Sequence, residues 1–272
     1  MPCANSSTGS DAVTPGKDPC ATTRERTKLR SSVFGQMRVT TMFDRSETLP
    51  PAHQRPMAVD VPQGWPKDCS EIPAGSPSGI YIIKPAGLHY ILVYCEMNVT
   101  KGGWTVIQRN KKDTPVTWAE SWSTYKYGFG NVRNEYWLGT EYIYQIAKQK
   151  VYQGKFVLED ATGSPKFADY NLFSLEDESR GYLLRLGAYS GTAGDAMTSD
   201  NPNKVHDNMK FSTKDKDQDT YSKNCAYSYE GGWWYSACYS VRLNFKGGLT
   251  WGSLCNGNCK SSLILIKPAS YC

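Results

Sequence analysis

From Asp68 onward the chain alternates short apolar runs with Gly, Pro and Asn, the punctuation of a compact domain built mainly from short strands. Gly79-Ile80-Tyr81-Ile82-Ile83, the run from Tyr90 to Glu96, and Trp104-Thr105-Val106-Ile107-Gln108 read as strands. So do Lys155-Phe156-Val157-Leu158-Glu159 and Gly181-Tyr182-Leu183-Leu184-Arg185-Leu186. Tyr136 to Lys150 has no internal proline and carries Trp137, Leu138, Ile143, Ile146 and Ala147, which predicts a helix despite Gly139. A helix among strands makes the domain mixed. Residues 1–66 differ: Ser, Thr, Pro and isolated charges without an apolar period predict a largely disordered segment, with the folded domain over 67–272. That segment has neither Gly-X-Y triplets nor heptads, so it offers no collagen stalk or coiled coil.

Composition narrows the function. The 272 residues carry a net charge of only +5, which gives no basic field for nucleic acid. No apolar run approaches the ~20 residues of a bilayer span. The start, Met1-Pro2-Cys3-Ala4-Asn5, shows no positive patch followed by an apolar core, so no secretory signal is visible. Nine cysteines, with the sequons at Asn5 and Asn98, favour an oxidising compartment nonetheless. Enzymatic constellations are missing. The three histidines, His53, His89 and His206, belong to no HExxH motif, and there is neither a nucleophile elbow nor a Walker loop. His206, just before Asp207, reads as a structural hydrogen-bonding residue rather than a base.

Candidate chemistry concentrates between Phe211 and Tyr239. Asp215, Asp217 and Asp219 alternate in a window where carboxylates can converge on one hard cation, and oxygen donors select calcium. The alternative is a solvated acidic turn neutralised by Lys214, Lys216 and Lys223. An EF-hand is excluded, because its glycine position is Thr220 and its glutamate position Ala226. Cys225 and Cys238 flank a loop rich in aromatics, in which Trp233 and Trp234 are either ligand-facing or ordinary core residues.

Several words of this sequence occur together in one known family. They are Gly102-Gly103-Trp104-Thr105-Val106-Ile107-Gln108-Arg109, Gly128-Phe129-Gly130, Glu135-Tyr136-Trp137-Leu138-Gly139 and Tyr189-Ser190-Gly191-Thr192-Ala193-Gly194-Asp195. Met209-Lys210-Phe211-Ser212-Thr213, Asn224-Cys225-Ala226 and Gly232-Trp233-Trp234-Tyr235 complete the set. On these, residues 67–272 resemble a fibrinogen C-terminal domain, most of all the fibrinogen-like protein group. The resemblance implies an α+β fold, a mixed and mainly antiparallel sheet with short helices and a loop-rich calcium and ligand subdomain. It also implies a secreted, non-enzymatic recognition protein, and is weighted above the missing secretory signal. Calcium ligands would be the side chains of Asp217 and Asp219 and the carbonyls of Tyr221 and Lys223, with Asp215 outside the direct set. Disulfides would join Cys69 to Cys95 and Cys225 to Cys238. Cys255-Asn256-Gly257-Asn258-Cys259 is no family feature; its Asn-Gly centre favours a third disulfide over half a zinc site. Cys3, Cys20 and Cys272 remain, which leaves a disulfide-linked oligomer open.

The ligand pocket implied beside the calcium loop comprises Tyr229, Trp234 and Tyr239. Members of the family that bind acetylated groups carry a histidine where this chain has Tyr239, and a downstream tyrosine falls near Gly257. The expected partner is therefore an extracellular protein receptor. A lectin for acetylated glycans ranks second, with a clotting-type subunit and an enzyme behind it.

Overall fold

The structure, a computed structural model, describes residues 64–269. The sequence expectations for the amino-terminal segment, for the Asn5 sequon and for Cys3, Cys20 and Cys272 lie outside those residues. Strands β1 (Gly79–Ile83), β2 (Ile91–Glu96) and β3 (Trp104–Lys111) form an antiparallel meander. Helix α1 (Trp122–Tyr127), the short strands β4 (Phe129–Gly130) and β5 (Tyr136–Trp137), and helix α2 (Thr140–Ala147) follow. The sheet then continues through β6 (Tyr152–Glu159), β7 (Pro165–Leu175), β8 (Leu184–Leu186) and β9 (Tyr189–Gly191).

After a long loop-rich stretch comes one turn of helix, α3 (Cys225–Ser228). Next are the three strands of a small second sheet, β10 (Val241–Arg242), β11 (Leu249–Trp251) and β12 (Cys255–Cys259). The last strand, β13 (Ser261–Pro268), returns to the centre of the main sheet between β3 and β6, giving the path β1-β2-β3-β13-β6-β7-β8. Every pairing is antiparallel. Paired on both edges, β13 has no free edge, and its side chains Ile264, Leu265 and Ile266 are buried.

The helix expected from Tyr136 to Lys150 is shorter. Tyr136 and Trp137 are strand residues, registered with Arg109 and Gln108 of β3, and Gly139 sits at φ 117°, which ends any helical path there. The helix proper starts at Thr140, and its buried residues Thr140, Ile143, Ile146 and Ala147 fall on one face. Likewise, only Leu184–Leu186 of the expected strand from Gly181 is extended, because Gly181 is a left-handed cap and Tyr182 has positive φ.

The loop-rich stretch is organised by an aromatic cluster rather than by a sheet. Phe211 stacks on Trp137 at 5.7 Å and meets Trp234 edge-on at 5.1 Å, and Tyr125 of α1 lies 5.3 Å from Phe211. The Tyr125 hydroxyl donates to the Trp118 carbonyl and accepts from the Gly232 N–H, fastening α1 to the 231–238 segment. The α1–β4 corner needs glycine at 128: φ is 88°, and a Cβ there would lie 2.3 Å from the Leu138 carbonyl oxygen. Gly128→Ala is expected to cost about 2 kcal/mol, read as a lower urea midpoint with an unchanged slope.

Candidate functional site

Two polar anchors hold the chain between residues 240 and 245. From the main sheet, Asn110 Nδ2 donates to the carbonyls of Leu243 (2.8 Å) and Phe245 (2.7 Å), and Gln108 Nε2 donates to the carbonyl of Leu243 (3.2 Å) and to Asn244 Oδ1 (3.1 Å). On the other side stands His206, fully buried. Its Nε2 accepts from the backbone N–H groups of Ser240 (3.2 Å) and Val241 (3.0 Å), so its proton is on Nδ1, which donates to the Trp234 carbonyl at 2.7 Å. Burial pulls its pKa down to about 4, which keeps the ring neutral. With both nitrogens committed, His206 has the structural role read from the sequence.

All three expected disulfides are present: Cys69–Cys95, Cys225–Cys238 and Cys255–Cys259, each with Cα atoms 5.4 Å apart. The Asn256-Gly257 centre of the third lies within β12, which pairs with β11 through a bulge. Cys225–Cys238 ties α3, at the end of the acidic loop, to the residue preceding Tyr239. The Cys238–Tyr239 peptide bond is trans, like every other among the described residues.

In the acidic loop, Asp219 is half-buried, and its two carboxylate oxygens accept from the N–H groups of Tyr221 (2.9 Å) and Cys225 (2.9 Å). Burial, and after it the neighbouring Asp217, push its carboxyl above the ordinary aspartate value against those hydrogen bonds. Of the lysines in this window, Lys214 acts through space on Asp215. No ion pair reaches Asp217 or Asp219 among the described residues, and Lys216 instead stands 3.7 Å from the ring centroid of Trp122. Asp215 turns away, accepting from the Trp122 N–H and the Thr213 hydroxyl. The carbonyls of Tyr221 and Lys223 receive no backbone donor among the described residues. No three His, Cys, Asp or Glu side chains converge among the described residues, so a cation here would need those carbonyls beside the two carboxylates.

Of the three expected pocket residues, two meet. Tyr229, in the C-cap of α3, and Tyr239 pack edge-to-face with ring centroids 4.8 Å apart, both partly exposed. Trp234 is a correction: it is 1% exposed, donates its Nε1 to the Tyr182 carbonyl at 2.9 Å, and lies in the Trp137–Phe211 cluster. Its burial leaves it no surface to offer a ligand. Trp233 is equally buried. Arg242 and Phe245 were not singled out as site residues in the sequence, yet the guanidinium carbon stands 5.9, 5.3 and 3.7 Å from the ring centroids of Tyr229, Tyr239 and Phe245. The available signal was a lone cation three residues beyond Tyr239. Tyr239 also borders a cleft of about 420 Å³ with Asp195, Lys204, Ser240, Thr250 and Asn256. The roomier clefts of about 690 and 600 Å³ share no lining residue with this face. Asn98 is exposed just beyond β2.

Comparison with known proteins agrees with this architecture. The family described as "Fibrinogen beta and gamma chains, C-terminal globular domain" matches residues 65–259. A fibrinogen-like protein 1-like protein of Gallus gallus is 48% identical over 202 residues, covering 74% of this chain and 72% of that protein. Angiopoietin-related protein 2 of Mus musculus is 38% identical over 238 residues, covering 81% of this chain and 47% of that protein, so the chain spans about half its length. Among solved structures, the fibrinogen-like globe domain of human ANGPTL2 superposes with a TM-score of 0.70 at 37% identity, over 75% of this chain and all of that one. Lamprey fibrin D-dimer, complexed with the peptide Gly-His-Arg-Pro-amide, gives 0.69 at 30% identity over 76% and 74%. The chain belongs to the fibrinogen C-terminal domain family, and its domain is a non-enzymatic binding fold.

Proposed function

We propose that this chain is a secreted recognition protein that binds an extracellular protein receptor through the Tyr229–Tyr239 face, with calcium bound in the adjoining loop. The observation that carries the reading is the convergence of three features on one surface. They are a partly exposed aromatic pair, an arginine without an acid partner among the described residues, and two carboxylates that no ion pair reaches there; Cys225–Cys238 ties the end of the acidic loop to the residue before Tyr239. Tyrosine and arginine supply large contact area at low entropic cost, the composition of binding hot spots.

Asp217, Asp219 and the carbonyls of Tyr221 and Lys223 would hold the cation. It would offset the carboxylate repulsion and order the loop before a partner arrives. Calcium at about ten times its Kd is expected to stabilise the oxidised chain by about 1.4 kcal/mol, a rise of roughly 3–6 °C in melting temperature. Asp219→Ala should abolish that response. An oxidised wild-type chain that shows neither heat uptake nor a shift in melting on calcium addition would refute the metal assignment.

The receptor assignment is tested by capture on displayed receptor ectodomains in calcium, in parallel with an array of acetylated glycans. Tyr239→Ala should lower receptor capture about tenfold or more at unchanged stability. Signal on the glycan array with blank ectodomains would replace the receptor reading by the lectin one. Asn98, exposed and within its sequon, would carry an N-linked glycan in the secreted protein, away from this face in sequence.

A further inference from the structure

Arg242 is held more firmly than its contacts require. Its neighbours in sequence are locked on both sides, Val241 by His206 and Leu243 by Asn110 and Gln108, and β10 registers Arg242 with Thr250 of β11. Its guanidinium face is covered by aromatic rings, most closely by Phe245. The edge of the same group is another matter. Nε is buried without a hydrogen-bond partner, and no carboxylate pairs with the side chain among the described residues. A guanidinium has five N–H donors in its plane, and stacking against rings satisfies none of them.

We infer that Arg242 reads a carboxylate, the acidic side chain of a protein partner, at the Tyr229–Tyr239 face. The inference rests on the reading of that face as the binding surface and adds the chemical class that it selects. Unlike the buried Nε, the two terminal Nη groups reach solvent, and their fixed planar end matches two carboxylate oxygens, a pair that the neighbouring apolar rings strengthen. An acetylated amide fits less well, since its single carbonyl oxygen cannot engage the fork bidentately. A doubly charged anion would leave one of its charges unpaired at a single guanidinium. Phe245 lies 3.7 Å from the guanidinium, and Tyr229 and Tyr239 pack edge-to-face on each other at 4.8 Å, which leaves little open ring face as a stacking platform for a sugar. What remains is the fork, framed by tyrosine edges.

The test uses the full oxidised chain in calcium and the Arg242 Nε–H nuclear magnetic resonance signal, assigned by its disappearance in Arg242→Lys. Probes are acetyl-Leu-Asp-Leu-amide, its Asn counterpart and N-acetylneuraminic acid. The expected result is a saturable shift with the Asp peptide and a response about tenfold weaker or less with the Asn peptide. Arg242→Lys keeps the charge but loses the fork. By tyrosine resonance shifts it should bind the Asp peptide about tenfold more weakly, with an unchanged melting curve. Equal responses to Asp and Asn peptides, or none, would overturn the inference, and so would a preference for the sugar acid. If Tyr239→Ala abolishes receptor capture while the Asp peptide leaves Nε–H unmoved, the carboxylate assignment falls and the binding face stands. If the peptide shifts Nε–H while Tyr239→Ala captures normally, the carboxylate chemistry stands and the face does not.

Discussion

Alanine at both Cys225 and Cys238 should lower the melting temperature of the oxidised chain by about 10 °C, equivalent to ~3 kcal/mol, and weaken calcium binding as well. The bridge spans a sequence separation of 13, and both sulfurs are largely shielded from water. Its loss returns closure entropy to the unfolded chain. Within the fold it also frees α3 from Tyr239, so the acidic loop and the aromatic face no longer move together. The other bridges give an internal scale. On chain entropy alone, Cys69–Cys95, with a separation of 26, contributes about 3.5 kcal/mol and Cys255–Cys259, with a separation of 4, about 2 kcal/mol. Only the 225–238 pair should couple stability to calcium. Calorimetry on the three double-alanine proteins, with and without calcium, checks both statements. A calcium response that survives intact in Cys225→Ala/Cys238→Ala would show that the loop orders itself without the clamp.

What the sequence disclosed follows the range of the forces involved. The outer strands were legible because β1 and β2 are short apolar runs between turn residues, a local signal. Strand β13 was passed over, although Leu263-Ile264-Leu265-Ile266 is as apolar as any run in the chain. Its place between β3 and β6 is a long-range pairing that no local pattern announces. The helix from Tyr136 was overextended because its apolar residues suit either periodicity. The arbiter was pairing with β3 together with the backbone at Gly139. Tyr229 and Tyr239, singled out through the resemblance, do meet, whereas Trp234 was misplaced for want of depth: adjacent aromatics look alike until packing buries them. Arg242 escaped because its interest lies in a missing partner, which only the assembled surroundings reveal.

Acid should loosen the proposed binding face before it threatens most of the fold, and His206 sets the window. Its folded pKa of about 4 lies below the ordinary histidine value near 6.5, because burial penalises the charged ring. The unfolded chain therefore binds the proton more readily. The stabilisation is complete above about pH 6.5 and is lost as pH falls towards 4, by about 1.4 kcal/mol per pH unit and about 3 kcal/mol in all. The carboxyls of Asp160, Asp177, Glu178 and Asp215 are held below their usual range by hydrogen bonds from neighbouring hydroxyl, backbone and side-chain groups, so their contributions fade only at lower pH. Asp219, pushed upward, runs the opposite way and partly offsets the histidine. A proton on Nε2 would face the N–H groups of Ser240 and Val241, the hydrogen bonds that fix the strand carrying Arg242. Urea unfolding from pH 7.5 to 4.5 should show the slope in the wild type and lose most of it in His206→Gln, which begins less stable. The Arg242 Nε–H signal should broaden over the same interval in the wild type alone. Parallel pH profiles for the two proteins would place the acid sensitivity in another group and leave the register of Arg242 independent of His206.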